Sequence, residues 1–354
     1  MRLYQFPAYH VSEKAGMGGR LRAILLLLFW AGVAVALPRE APSDVKALIG
    51  EYRSEGAALT VYENEGVLYV DGLGMHLAPL RRISATRFSV DAAQAPSPTA
   101  VNFEVQAQQR AAAVIVGGTR LKYRDIGAEV VEKIRAGVKA DTGQLRATAL
   151  RAKPPEEPKP KRAFDLVDLV TVDPGIKLDI RYASSNNFIG FPLYERPAAY
   201  LQRPAAEALG RAQRALASRG YGLLIHDAYR PWFVTKMFWD ATPDSAHVFV
   251  ADPSEGSRHN RGCAVDLTLY ELKTGAPVEM TGRYDEMSPR SYADYVGGTS
   301  RQRWLRELLR KEMDAQGFAV YPEEWWHFDY KDWNDYAIGN ATFAEIGAAH
   351  AAAR

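Results

Sequence analysis

Two short segments in the C-terminal half carry the residue types that metal-assisted hydrolysis needs. Ser257-Arg-His-Asn-Arg-Gly-Cys-Ala-Val-Asp266 sets His259 and Asp266 seven residues apart across a glycine and leads into the apolar run Ala264 to Leu269. A turn at Gly262 would let both side chains converge on one ion. Glu323-Glu-Trp-Trp-His327 adds a second imidazole, with Glu324 three residues before it. Two imidazoles and a carboxylate suit a catalytic Zn²⁺ and leave a fourth position for water. Glu324 is then the candidate for the base that takes the water's proton. Any one of these residues, beside tryptophan, reads equally well as a packed core residue; the combination favours a metal site. A third segment, Ile225-His-Asp-Ala-Tyr-Arg-Pro231, puts Arg230 after an apolar strand and before a proline, and taken alone it reads as an ordinary ion pair.

The elements that must position these residues follow from the pattern around them. From Phe164 onward, helical stretches (Pro204 to Arg219, Arg301 to Gly317) alternate with short apolar runs (Gly222 to Ile225, Cys263 to Leu269), which predicts an α+β domain over 164–354 built on a central antiparallel sheet. Residues 44–125 read differently. Leu59 to Tyr62, Val67 to Val70, Phe88 to Val90, Val101 to Phe103, Ala113 to Val116 and Leu121 to Tyr123 are β-rich pieces punctuated by Gly66, Gly72, Gly74 and Gly117-Gly118, which predicts a small antiparallel β domain without a cluster of catalytic residue types. Between the two, 126–163 holds a partly periodic helical stretch. It ends in Arg151-Ala-Lys-Pro-Pro-Glu-Glu-Pro-Lys-Pro-Lys-Arg162, whose four prolines among charges predict a semi-rigid linker.

Composition narrows the function classes. Over 354 residues, 47% hydrophobic, 24% charged and 11% aromatic residues describe a chain able to bury a core, which excludes disorder as its general state. With 44 Lys+Arg against 42 Asp+Glu the formal charge is +2, so a nucleic-acid partner is not expected. The one cysteine, Cys263, excludes an intramolecular disulfide, a four-cysteine zinc site and CxxC redox chemistry, and leaves His and carboxylate to hold any metal. At the N-terminus, Arg20 and Arg22 precede the apolar run Ala23 to Leu37, which ends in Ala34-Val35-Ala36. That layout predicts a signal peptide over 1–36, with an exported protein and no stable membrane span once it is removed; a retained anchor is the alternative for so short a run.

Asp-Ala-Tyr-Arg-Pro (227–231), Ser-x-His-x-x-Gly-x-Ala-x-Asp (257–266) and Glu-Trp-Trp-His (324–327), in this order, resemble the D-alanyl-D-alanine dipeptidases, zinc peptidases of the vancomycin-resistance type. The resemblance spans essentially Phe164 to Tyr330 and includes Arg181-Tyr-Ala-x-x-Asn-Asn-Phe188. It implies one zinc ion per chain on His259, Asp266 and His327, Glu324 as general base, and Arg230 stabilising the oxyanion. It also implies that Ser257, Tyr182 and Asp285 hold a small D,D-dipeptide, with Asp285 facing its free ammonium. The β-rich segment and linker are not part of the usual single-domain enzyme, and Cys263 stands where a small residue is usual; we read it as core filler. Two other readings are weighed beside this one: a zinc D,D- or L,D-carboxypeptidase that trims peptidoglycan stem peptides, and a non-catalytic wall-binding protein. The intact His259, Asp266, Glu324, His327 and Arg230 argue against the last.

Overall fold

The computed structural model describes residues 37–352, apart from 92, 96–98, 107–108, 139–140 and 159–161. The signal-peptide reading over 1–36 lies outside the described residues. Leu37 to Arg354 form one compact unit of mixed α and β structure that contains two separate hydrophobic clusters.

The smaller cluster is the inside of a rolled sheet. After a short helix α1 (Ser43–Lys46) come β1 (Gly50–Ser54), β2 (Ala57–Asn64), β3 (Val67–Gly72), β4 (Met75–Pro79), β5 (Arg81–Arg82), β6 (Arg87–Val90), β7 (Thr99–Glu104), β8 (Ala113–Val116) and β9 (Thr119–Tyr123). All pairings are antiparallel, in the order β4-β3-β2-β1-β9-β8-β7-β6-β5. The two ends of that order are consecutive in the chain, separated only by Leu80. The run from Met75 to Arg82 therefore pairs through its first half with β3 and through its second with β6, which closes the sheet on itself. Alternate residues such as Val61, Val70, Val101, Val114 and Leu121 point inward, as the two-residue period of a strand dictates, and fill the interior. Glu63, only 2% exposed, leaves this sheet and accepts a 2.9 Å hydrogen bond from the backbone N of Ser300 at the start of a helix described next.

The larger cluster surrounds a five-stranded sheet in the order β11 (Lys177–Leu178), β13 (Tyr221–Asp227), β14 (Ala264–Glu271), β16 (Glu324–Tyr330) and β15 (Phe318–Tyr321). Its pairings are antiparallel except β11 with β13, which is parallel. A two-stranded ribbon of β10 (Leu166–Asp168) and β12 (Tyr200–Gln202) lies outside it. Helices α4 (Arg203–Ala217) and α6 (Ser300–Asp314) pack on the sheet, α4 through an alanine-rich face that buries Ala205, Leu209, Ala212 and Leu216. Thr299 and Gln302 form a capping box at the start of α6, and Glu63 adds a carboxylate where the helix dipole is positive. Helix α5 (Trp232–Ala241) follows β13, and α7 (Phe343–Ala352) ends the described chain.

The segment between the two clusters is docked. Helices α2 (Ile126–Val138) and α3 (Thr142–Arg151) bury Ile134, Val138 and Ala149 in the larger cluster. Glu157, within the proline-rich stretch, accepts from the Arg261 guanidinium at 2.6 Å and from the backbone N of Ile338 at 2.7 Å. The helical stretch read from sequence as part of a connector thus supplies core side chains, because an amphipathic stripe buries its apolar face wherever a partner surface lies within reach.

Ile134 is 1% exposed. Ile134→Ala is expected to destabilise the protein by about 2–5 kcal/mol through lost burial and a residual cavity. Urea unfolding followed by tryptophan fluorescence reads this directly, and an unchanged midpoint would show that α2 is not part of the larger core.

Candidate active site

The sheet register assembles the site. Asp227 at the end of β13 stands opposite Asp266 on β14, and Asp266 stands opposite His327 on β16. Three polar side chains thus form a row across adjacent strands. On β14, Val265, Leu267 and Leu269 enter the core, so Asp266 turns to the other face. His259 reaches the same place from a single 3₁₀ turn, His259–Arg261, that Gly262 terminates with φ 67°. A side chain at Gly262 would strike Leu166 at 2.6 Å, so the turn needs glycine for both conformation and space. Glu324 and His327 would face opposite sides of a regular strand. Between the pairs Tyr321↔Glu324 and Val320↔Phe328, however, β16 advances several residues while β15 advances one, and the irregularity brings both side chains to one cleft.

His259 Nε2, Asp266 Oδ1 and His327 Nδ1 meet at separations of 3.1, 3.1 and 3.3 Å. Atoms held 2.0–2.1 Å from a common tetrahedral centre lie about 3.3 Å apart, so this triangle fits the face of a zinc-sized coordination shell. The outer ring nitrogens are committed. His259 Nδ1 donates to the carbonyl of Ala228 at 2.6 Å, and His327 Nε2 donates to Asp329 Oδ1 at 2.9 Å. Both inner nitrogens therefore turn toward the Asp266 carboxylate, a contact that is favourable only with a proton or a cation among the three atoms. All three residues are buried, and no other group of potential ligands gathers in this way among the described residues.

The electrostatics agree with a cation site. Burial works against ionisation of Asp266, yet His259 and His327 outweigh it and hold the carboxyl well below the usual range. Burial likewise opposes charge on His327, but Asp329 and Asp266 together drive it well above the ordinary histidine value. Glu324 lies 3.8 Å from His327 Nδ1, and burial, reinforced by Asp266 against the opposing pull of His327, pushes it up to about 8. Such a carboxylate holds a proton far better than an exposed one. Arg230 is fixed by Asp227, whose Oδ2 accepts from its Nε at 2.9 Å and lies 2.8 Å from its Nη2, and its guanidinium lies over Phe238.

A cleft of about 100 Å³ exposes Arg230, Ser257, His259, Glu324 and His327 together, with Val248 to Ala251 and Tyr321 as its walls. Ser257 Oγ accepts from the backbone N of His259 at 3.2 Å. Asp285 and Tyr182 are linked to this group through another residue. Tyr284 donates to Asp266 Oδ2 at 3.0 Å and its oxygen lies 3.2 Å from the Tyr182 hydroxyl, whose single O–H is shared between the two oxygens of Asp285 at 2.9 and 3.0 Å. Asp285 is half-buried and lines a neighbouring cavity, while Tyr182 stands behind it, almost wholly buried. Burial and the charge of Asp266 raise Asp285 well above the usual carboxylate range. Cys263 is fully buried, its thiol pushed up to about 12 by burial, and is not among the converging ligands.

Sequence reasoning missed Asp227, Tyr284 and Asp329. Asp329 had a readable signal, since a carboxylate two residues after a strand histidine shares its face. Tyr284 lies beside the Asp285 that was singled out, but nothing in the local spacing shows its bond to a side chain on another strand.

Similarity to known proteins bears on what this arrangement does. Residues 162–345 match the peptidase M15 family described as D-ala-D-ala dipeptidase. The chain is 34% identical over 174 residues to the D-alanyl-D-alanine dipeptidase of Escherichia coli K12, an alignment that covers 49% of this chain and 89% of that protein. The proteins of the same name from Enterococcus faecium and Streptomyces coelicolor are 35% identical over 179 residues and 36% identical over 176, each covering 45% of this chain and 87% of the relative. The rolled sheet and helices α2 and α3 lie before the matched segment.

The hydrogen bond from His327 to Asp329 orients the ring. Asp329→Ala is expected to weaken metal binding about 10–100-fold while the ligands stay in place, measured by competition with a chromophoric chelator. Unchanged affinity would make the contact incidental.

Proposed function

The chain belongs to the peptidase M15 family of D-alanyl-D-alanine dipeptidases, and from that premise we propose that it hydrolyses D-alanyl-D-alanine to two molecules of D-alanine, using one zinc ion on His259, Asp266 and His327. The observation that carries the reading is the triangle of buried lone pairs on these residues, with Glu324 and Arg230 opening onto the same cleft. A zinc ion held there would acidify water and polarise the scissile carbonyl. Glu324 takes the proton of the attacking water and later delivers it to the leaving amine, a role suited to a carboxylate whose proton affinity is raised. Arg230, held charged and oriented by Asp227, faces the developing oxyanion. Ser257 sits at the cleft to contact the peptide, and Asp285, backed by Tyr182, takes the free α-ammonium, so that a peptide without one is excluded.

In the same reading the protein is exported, which Arg20, Arg22, the apolar run and Ala34-Val35-Ala36 support. Among the described residues no helix is long and apolar enough to cross a membrane. The rolled sheet is read as a domain within the same compact unit as the catalytic part, a reading that its separate hydrophobic cluster supports.

The test compares D-alanine release from D-Ala-D-Ala and from a stem pentapeptide, together with metal content. Hydrolysis of the dipeptide alone is expected, and pentapeptide trimming with a comparable kcat/KM would overturn the dipeptidase reading. Chelation should abolish the activity and zinc should restore it. Glu324→Gln should retain the metal and lose about 10²–10⁴ in kcat; near-normal turnover would move the base elsewhere.

A further inference from the structure

Helix α2 lies outside the segment matched to the family, yet its first turn grips the loop that carries Asp285. Asp125, just before the helix, accepts from the Arg283 guanidinium at 2.6 Å and from the backbone N of Ala128 at 3.2 Å, so one carboxylate caps α2 and ties it to the loop. Gly127 faces Glu286 so closely that a Cβ there would lie 2.5 Å from Glu286 Cγ. Glu286 is itself buried, and it closes the loop by accepting from the backbone N of Arg283 at 2.8 Å and from Ser288 Oγ at 3.0 Å. Asp285, between these anchors, has φ 57°, a left-handed conformation that aspartate tolerates better than most non-glycine residues. Farther along, the Arg135 guanidinium donates to the carbonyl of Asn187. The helix and the matched segment thereby border an open cavity of about 500 Å³, with Val131, Glu132 and Arg135 on one side and Asn187, Phe188 and Asp285 on the other.

We infer that α2 is a specificity element of this enzyme: its first turn positions Asp285 toward the substrate's amino end, and its body walls the space into which a longer peptide would extend. The inference rests on the proposed role of Asp285 as acceptor of the α-ammonium. Two consequences separate it from mere support of the fold. Loosening the grip weakens binding of the dipeptide with little effect on the chemical step, and the effect vanishes once Asp285 can no longer pair with an ammonium.

The experiment is steady-state kinetics on D-Ala-D-Ala with the full-length metal-loaded protein, using Gly127→Leu, Asp125→Asn, Asp285→Asn and the combinations of each α2 variant with Asp285→Asn. Gly127→Leu wedges α2 off the loop. Asp125→Asn keeps a good helix cap but removes the charge facing Arg283, so it serves if the bulkier variant does not fold. Each α2 variant should raise KM about tenfold with kcat within about threefold and metal content unchanged, the signature of lost uniform binding. Asp285→Asn should raise KM by itself, and adding an α2 variant to it should raise KM no further. A wild-type KM in the α2 variants beside a raised KM in Asp285→Asn overturns the inference and leaves the dipeptidase reading standing, as does a fully additive double variant. A wild-type KM in Asp285→Asn removes the ammonium role on which the inference rests.

Discussion

Three buried atoms with lone pairs, His259 Nε2, Asp266 Oδ1 and His327 Nδ1, stand within about a hydrogen-bond length of one another, and much of the surrounding structure serves to keep them there. With both imidazoles neutral they would repel, since each spends its proton on an outward partner, and the raised proton affinity of His327 shows how strongly the site calls for a positive charge. A cation turns that repulsion into binding. The arrangement therefore favours a positive charge at its centre, and it persists because Asp266 and His327 sit on paired strands and His259 on a turn fixed by Gly262.

From that constraint the roles of the neighbouring carboxylates follow. Five acidic groups, Asp227, Asp266, Asp285, Glu324 and Asp329, crowd around the site, and each is assigned by what faces it. Asp266 faces two imidazoles and stays ionised, while Asp329 is held by His327 and orients it. Burial dominates at Glu324 and Asp285 and raises both. Environments that push like groups apart in proton affinity are how one cleft keeps a ligand and a base among the same residue type. Asp227 completes the set by holding Arg230 and accepting from the Tyr194 hydroxyl at 2.7 Å.

The residues that converge on the candidate site were legible because they lie in short segments whose residue types make little sense as packing alone, and because Gly262 announces the turn that His259 needs. The strands of the rolled sheet were legible for a different reason: glycines mark their ends and β-branched or aromatic residues fill their middles. What stayed hidden depends on contacts between distant parts of the chain. Residues 129–149 carry partial helical periodicity, but no local pattern tells which surface an apolar stripe will meet, so the docking of Ile134 and the grip of Asp125 on Arg283 had no sequence signal. Glu63 likewise reads as an ordinary polar residue of a strand, although it is buried 237 positions away from the Ser300 amide it caps. The irregularity in β16 was equally unreadable, since strict alternation would have separated Glu324 from His327.

The run Met75 to Arg82 closes the rolled sheet by pairing with β3 on one side and β6 on the other. An open sheet ends in rows of unpaired N–H and C=O groups on which another chain can add a strand, and such rows are the usual seeds of aggregation. Here the strand-rich first third of the described chain offers almost none. Once rolled, it is a surface on which neither a partly folded copy of the protein nor a stray extended peptide can template itself. The exposure falls instead on the short outer strands β11 and β15 of the five-stranded sheet, two and four residues long, which give an intruding chain little to hold. The chain gains from that asymmetry, since the part of it richest in β-structure is the part least able to recruit more.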